Sequence, residues 1–401
     1  LSLPSNPWAP LEASMPSATA AVDGRAAERL GEADRYVLIP ALALLMIGFV
    51  ATTSASVEYA AEHYRNALYH SGRHLIYTGL ALMSAACVYA LPPRFWLNTG
   101  WLWLFASLVL LALVLIPGVG LKVNGSRRWL ALGPVTLQVS EFVKLSLVIY
   151  LAGYLQRRED QVRSEWRGFV KPMAVVFAVT LLLMEEPDFG ATVVTVGTAF
   201  GMLFLGGVRL GQFLLVVMGS VLALAILLVN EPYRLQRLIA YTDPWADQFD
   251  SGYQLTQSLI AIGRGEWFGV GLGNSVQKLF YLPEAHTDFV FSIWAEETGL
   301  LGALSVVGLF LLLVFRILYL ARRRVVAGDR FGGHVCHGVA LIFAAQAFIN
   351  IGVSTGLLPT KGLTLPLVSY GGSSLIACSC MLALVLRIER EGKRGDDGRG
   401  D

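Results

Sequence analysis

Runs of apolar residues long enough to cross a bilayer recur along the whole chain. A helix needs about 20 such residues to cover the hydrocarbon core. By that measure spans are predicted over Tyr36–Ser54, Gly72–Leu91, Trp96–Ile116, Val139–Leu155 and Pro172–Met184. Five more follow at Ala191–Leu205, Leu210–Val229, Phe289–Leu320, Val335–Leu357 and Ser374–Ile388. The even count puts both termini on one side. No stretch shows the alternating pattern of an outer-membrane strand, and lipid obliges every span to satisfy its own backbone. The expected fold is therefore an all-α polytopic membrane protein, a bundle of ten transmembrane helices in one domain over residues 36–388. Residues 1–35 read as a flexible tail rich in Ser, Pro and Ala, and 389–401 as a second tail, disordered over Gly392–Asp401. The first apolar run begins too far into the chain and lacks a small-residue cleavage site, so no cleavable signal peptide is expected.

Charge sharpens this picture. The 401 residues carry 31 Lys+Arg against 29 Asp+Glu, and charged residues make up only 15%, where a soluble domain carries about 25%. That scarcity excludes an ordinary soluble enzyme, a disordered protein and a nucleic-acid binder with a basic surface. The cations that remain are grouped. Arg25, Arg29 and Arg35 precede span one; Arg157, Arg158, Arg163, Arg167 and Lys171 follow span four. Arg322, Arg323, Arg324 and Arg330 follow span eight, and Arg387, Arg390, Lys393, Arg394 and Arg399 close the chain. All four groups fall on one side of a ten-span bundle, which the positive-inside rule makes cytoplasmic. Cys87, Cys336, Cys378 and Cys380 lie inside or at the ends of spans, as small packing residues rather than disulfides. His334 and His337 sit at helical spacing at a cytoplasmic span end and read as a helix start rather than a metal site.

The unusual chemistry falls on the outward side. About 60 residues, 230–288, separate spans seven and eight. Their aromatics and the series Gly263, Gly265, Gly269, Gly271 and Gly273 point to an ordered lid or platform, with the glycines serving tight turns. The loop ends in Leu282-Pro283-Glu284-Ala285-His286-Thr287-Asp288. Asp288 reads either as a first-turn or capping acid, or as a partly desolvated carboxylate suited to general-base work. Glu296 and Glu297 follow inside the span, where at least one must face a wet cavity or a cation. Before span four stand Arg127 and Arg128, and the span opens with Glu141 and Lys144 at a pairing distance of three residues. These cations read either as partners in a structural ion pair or as a cradle for an anionic head group.

Span five is short, 13 residues, and runs into Glu185-Glu186-Pro187-Asp188-Phe189-Gly190. Its shortness places that acidic turn below the outer surface, as at many binding sites. The link between spans nine and ten, Leu358–Ser374, holds two prolines, paired glycines, the single cation Lys361 and Ser369. Backbone this irregular is tolerated at membrane depth only where it lines a cavity. An outward cavity able to hold an anionic amphiphile follows.

The runs Asn124–Trp129, Glu186–Gly190, Tyr281–Phe291 with Glu296-Glu297, and Leu358–Ser374 resemble the SEDS family (shape, elongation, division and sporulation), over nearly the whole of residues 36–388. Gly252–Ser258, Gly269–Lys278 and Tyr281–Phe289 look like its cell-division branch rather than its rod-elongation branch, in the proteobacterial form. One departure is visible: many members have proline where Val139 stands, which relaxes the helix start but leaves Glu141 and Lys144 in place.

The resemblance implies a peptidoglycan glycosyltransferase in the bacterial inner membrane, at the division septum. It would polymerise lipid II into β-1,4 glycan and release undecaprenyl pyrophosphate. Asp288 matches the family's catalytic aspartate and would be the general base. Arg128, Lys144 and Lys361, then Arg127, Arg73 and Lys278, are candidates to bind the pyrophosphate, with Glu141, Asp188 and Ser369 lining the site. A divalent cation (Mg or Mn) could assist, held by Glu296 or Glu297, although no dedicated metal motif is present. Implied partners are a class B penicillin-binding protein of the FtsI type and divisome proteins such as FtsQ, FtsL, FtsB and FtsN; no nucleic acid is expected. The competing readings are a lipid II flippase, disfavoured by few polar residues in the inner half-spans and no inverted repeat, and a divisome scaffold, which leaves the four charged outward elements unexplained.

Overall fold

The computed structural model describes residues 34–123, 126–133, 135–229, 241–250, 252–360 and 362–397. The N-terminal tail, Asn124-Gly125, Tyr233-Arg234 and Lys361 thus lie outside the described residues. Ten helices of 17 residues or more coincide with the ten predicted spans: α1 (Arg35–Tyr64), α2 (Tyr69–Ala90), α3 (Pro93–Leu115), α4 (Val139–Arg157), α6 (Trp166–Glu185), α7 (Phe189–Leu205), α8 (Leu210–Val229), α10 (Val290–Val326), α11 (Arg330–Ser354) and α12 (Gly372–Asp397). Among the described residues, two shorter helices, α5 (Glu159–Ser164) and α9 (Tyr253–Gly265), lie in the connections. Six of the long helices are apolar and long enough to cross a membrane by those criteria alone. The main core runs through the bundle, with α4 and α11 near its centre and Phe169, Phe343 and Leu151 fully enclosed, and a smaller cluster of Ala55, Leu282, Ala285, Phe289, Ile293 and Val353 packs where the chain enters α10. Lipid-facing positions such as Phe177, Leu215 and Phe315 stay uncovered, as a protein solvated by hydrocarbon permits.

Three boundaries differ from the sequence reading. Span five is not short: α6 has 20 residues, about 30 Å at the usual rise, because the helix continues through Pro172. That proline removes the amide that would bond the Gly168 carbonyl. The Tyr154 hydroxyl donates to this carbonyl instead, at 2.7 Å. The last helix runs to Asp397, so the described part of Gly392–Asp401 is helical rather than disordered. Between α3 and α4 the chain forms a small antiparallel sheet in an otherwise helical protein: β1 (Gly120–Val123), β2 (Ser126–Leu132) and β3 (Val135–Gln138), in the order β1-β2-β3.

The loop after α8 gains its order by docking on α10. That helix is interrupted at Gly299, whose φ of 69° suits only glycine. The freed backbone groups are bonded from outside: Val270 N donates to Glu296 O and Gly271 N to Glu297 O, both at 3.0 Å, and Leu300 N donates to Glu266 O at 2.8 Å. Two of the loop glycines are required by this close approach rather than by turns alone. A Cβ on Gly265 would lie 2.1 Å from Ala295 O, and one on Gly269 2.2 Å from Glu297 O.

Gly269 also has φ +82°. Gly269→Val should therefore cost about 2 kcal/mol or more from strain and lost docking. The check is the thermal unfolding midpoint of the purified protein in detergent; an unchanged midpoint would refute the docking role.

Candidate active site

A cavity of about 530 Å³ opens at the end of the bundle where α2, α4, α7 and α12 begin or end. Its walls come from the end of α1, the start of α2, the sheet, the first turn of α4, the α6–α7 turn with the start of α7, the segment 284–288 and the 362–374 link. The basic clusters Arg157–Arg167, Arg322–Arg330 and Arg387–Lys393 sit at the opposite end, since α4, α10 and α12 all run away from the cavity.

One wall is ionic. The sheet aims Arg128 at the acidic turn, where its Nε donates to Glu186 O at 3.1 Å and a terminal nitrogen to Pro187 O at 2.6 Å. The other terminal nitrogen lies 4.0 Å from Asp188, leaving the guanidinium partly exposed to the cavity. Arg127 does not share this role: from β2 the cavity is lined by Ser126, Arg128 and Trp129. Asp188 caps α7 by accepting from Ala191 N at 3.2 Å, and its other oxygen accepts from Ser140 Oγ at 3.0 Å and Gln138 Nε2 at 3.3 Å. Glu186 behind it is wholly buried; burial pushes its carboxyl up to about 8, Asp188 adding to this and Arg128 opposing it. Glu141 reaches the wall, whereas Lys144 is enclosed and ion-paired to Glu141 at 2.8 Å. The pair reading of those two residues is the one the geometry takes.

Asp288 stands just ahead of α10, in the turn 284–288. Three successive amides, of Thr287, Asp288 and Phe289, converge on the Glu284 carbonyl. Asn350 on α11 donates one amide nitrogen both to Asp288 O at 2.8 Å and to Leu363 O at 2.6 Å, tying this turn to the irregular link. The residue before α10 is Phe289, which makes no side-chain cap, so the capping alternative for this stretch does not apply. Gly362 faces the carboxylate: a Cβ there would come within 3.1 Å of Oδ2. Burial raises the Asp288 carboxyl to about 7, Glu284's charge adds to the rise, and Arg128 draws it back. At neutral pH Asp288 is therefore divided between its acid and base forms, the condition a general base needs.

Four candidates are placed elsewhere. Glu296 accepts from the amides of Val276 at 3.0 Å and Gln277 at 3.4 Å and from the Ser275 hydroxyl. Glu297 accepts from Ser54 Oγ at 2.6 Å and meets Lys278 Nζ at 3.2 Å. Glu297 thus faces a cation, as its burial requires, and Lys278 is a clamp for the loop rather than a cavity residue. Protein donors engage both oxygens of Glu296 but only Oε1 of Glu297, whose buried Oε2 has no partner among the described residues; no group of three or more metal-ligating side chains occurs among the described residues. Ser369 Oγ accepts from Leu365 N at 2.8 Å, closing a turn behind the wall. Arg73 does line the cavity, donating to the hydroxyls of Tyr69 and Tyr77 at 3.1 Å each.

The second wall, absent from the sequence reading, is aromatic: Tyr64, Tyr69, His70, Tyr77, His286 and Tyr370. Its signal was available in the i, i+4 spacing of Tyr69, Arg73 and Tyr77 on α2. Glu284 and Gln138 were likewise passed over.

Fold and cavity define a polytopic helical membrane protein with a polar site carrying a cation and a tuned carboxylate at one end of the bundle. The cell cycle protein family of FtsW, RodA and SpoVE matches residues 35–394, and the chain belongs to it. A relative from Hahella chejuensis, named a probable peptidoglycan glycosyltransferase FtsW, is 55% identical over 90% of this chain and 91% of its own. The Halomonas elongata protein of the same name is 54% identical over 89% and 90%. A chain solved in work on the structural coordination of polymerization and crosslinking by a peptidoglycan synthase complex superposes with TM-score 0.73 at 30% identity, over 90% of this chain and 98% of that one. Thermus thermophilus RodA, a rod shape determining protein, gives 0.66 at 30% identity, over 90% and 97%. The family and the division-branch resemblance are both borne out.

Because Glu284 raises the Asp288 carboxyl, Glu284→Gln should lower the pH at which Asp288 ionises. Infrared difference spectra of the carboxyl band, assigned by its loss in Asp288→Asn, measure this; a midpoint that stays in place or rises would refute the coupling.

Proposed function

We propose that this protein is a peptidoglycan glycosyltransferase that polymerises lipid II on the outer face of the cytoplasmic membrane during septal wall synthesis. The observation that carries the reading is the Asp288 carboxyl, desolvated to about 7, in one cavity with Arg128. The names and extents of the relatives support it. The cavity faces outward in this reading, because the basic clusters at the other end belong in the cytoplasm.

Mechanism follows from charge. The acceptor GlcNAc 4-hydroxyl attacks the anomeric carbon of the donor MurNAc, and its proton passes to the Asp288 carboxylate. The bond from that carbon to the pyrophosphate oxygen breaks, and the electron pair leaves with undecaprenyl pyrophosphate. An α-linked donor giving a β product requires a single inversion, so one base suffices and no covalent enzyme intermediate forms. Arg128, fixed by two backbone carbonyls, offers a preorganised positive charge to the departing pyrophosphate. Arg73, bonded to the Tyr69 and Tyr77 hydroxyls on the facing wall, lends its charge to the second anionic head group, and Lys361 precedes Gly362 in the chain. Glu141 and Asp188 act as the scaffold that orients these groups. A class B penicillin-binding protein of the FtsI type, which crosslinks the strand, and other divisome proteins complete the assembly.

Purified protein with its transpeptidase partner, given lipid II, should produce glycan chains resolvable by gel, and Asp288→Ala should produce none while still binding the partner. Arg128→Ala should lower kcat about a hundredfold. The wild-type rate should climb as pH rises through about 7, because deprotonation supplies the base. Polymer from Asp288→Ala would end the assignment.

A further inference from the structure

The aromatic wall is not needed to hold a pyrophosphate, and its composition is specific. His70 and His286 stand with ring centroids 5.0 Å apart, and Tyr370 is 5.1 Å from His70 and 5.7 Å from His286. Tyr64 and Tyr69 stack at 4.0 Å with ring planes 11° apart, and Tyr69 meets His70 edge-on at 5.4 Å. These rings come from α1, α2, the 284–288 turn and the 362–374 link, and Tyr370 N donates to His286 O at 3.0 Å to lock the last two together. Interfacial aromatic belts face lipid; these rings face the cavity.

Apolar ring faces alone would suit a polyprenyl chain. His70 argues otherwise. It is 93% buried against the wall, with a relative exposure of 7%, and neither ring nitrogen has a hydrogen-bond partner among the described residues. Burial lowers the His286 imidazole below its ordinary value, with the Glu284 charge opposing. A wall that combines aromatic faces with the two unpartnered ring nitrogens of His70 complements a ligand with an apolar face and a hydroxylated edge, which is a pyranose ring. His286 lies two residues before Asp288 in the same turn, and both line the cavity.

We propose that Tyr64, Tyr69, His70, His286 and Tyr370 form a saccharide-stacking subsite that positions the reacting sugar against Asp288, opposite the ionic wall that takes the pyrophosphate. This rests on the glycosyltransferase reading and assigns one wall to each half of the substrate. Tyr370 and His70 are positioning residues: one supplies a face, the other a hydrogen bond.

The test measures binding of two probes to the full chain in nanodiscs: lipid II, and undecaprenyl pyrophosphate, which lacks the sugars. Tyr370→Leu should weaken lipid II about tenfold and leave undecaprenyl pyrophosphate within about twofold. Tyr370→Phe should keep lipid II binding, since it keeps the ring. Arg128→Ala should weaken both probes. Equal loss of both probes in Tyr370→Leu would overturn the proposal by assigning the ring to the lipid moiety, as would unchanged lipid II binding. Should Tyr370→Leu fail to fold, Tyr64→Leu, at a ring 47% exposed, reads the same difference. A wild-type protein that binds lipid II with this selectivity but never polymerises it would sink the enzymatic reading while leaving the subsite intact.

Discussion

The amide of Asn350 joins two stretches of irregular backbone whose own turns leave the Asp288 and Leu363 carbonyls to a side-chain donor. Both the turn before α10 and the link before α12 are irregular and lie at the mouth of an apolar bundle, where unpaired carbonyls are costly. One side-chain nitrogen on α11 serves a carbonyl from each, Asp288 O and Leu363 O. Position and chemistry are coupled through it. The carboxylate, the open face at Gly362 and the aromatic wall at Tyr370 are all held by segments that converge on this one buried donor.

The rest of the site follows the same logic of borrowed hydrogen bonds. Arg128 is oriented by carbonyls of the acidic turn rather than by a carboxylate. A guanidinium fully paired with an anion would have little left for a substrate. Asp188, which stands nearest, is already engaged with Ala191 N, Ser140 and Gln138. Its charge is diffused into a cap and a polar network, and Arg128 keeps an exposed edge. Buried acids are expensive in such a setting, and the protein deals with them in two ways. Glu186 is held toward its neutral form, whereas Glu296 and Glu297 are surrounded by amides, hydroxyls and Lys278.

The ten spans are legible in the sequence because lipid imposes a length and a polarity on each, and the apolar runs record both. Arg128, Asp288 and the irregular link are legible for a related reason: charges and prolines are rare enough here to stand out. What escapes is whatever depends on contact between distant segments. An ideal helical projection places Glu296 near the Asp288 stripe, yet the loop wraps α10 and captures both glutamates. The same projection cannot show that Arg128 lines the cavity while its neighbour Arg127 does not. Nor does α2 reveal that Tyr69, His70 and Tyr77 will meet His286 and Tyr370, because aromatic residues near span ends also serve as ordinary interfacial anchors. The length rule misjudges α6 because it treats Pro172 as a boundary, while Tyr154 makes the helix continuous across it.

The break at Gly299 gives α10 a mechanical character that its 37 residues would not suggest. A continuous rod of that length would carry any tilt of its far end directly to its first turn. Here the short segment that follows Asp288 is bonded to residues 266–271 across the interruption, so the loop, and not the remainder of the helix, sets its attitude. The same loop also holds the far side of the break, through Leu300 N to Glu266 O and Leu301 N to Trp267 O, so it acts as a splint that carries load between the two segments.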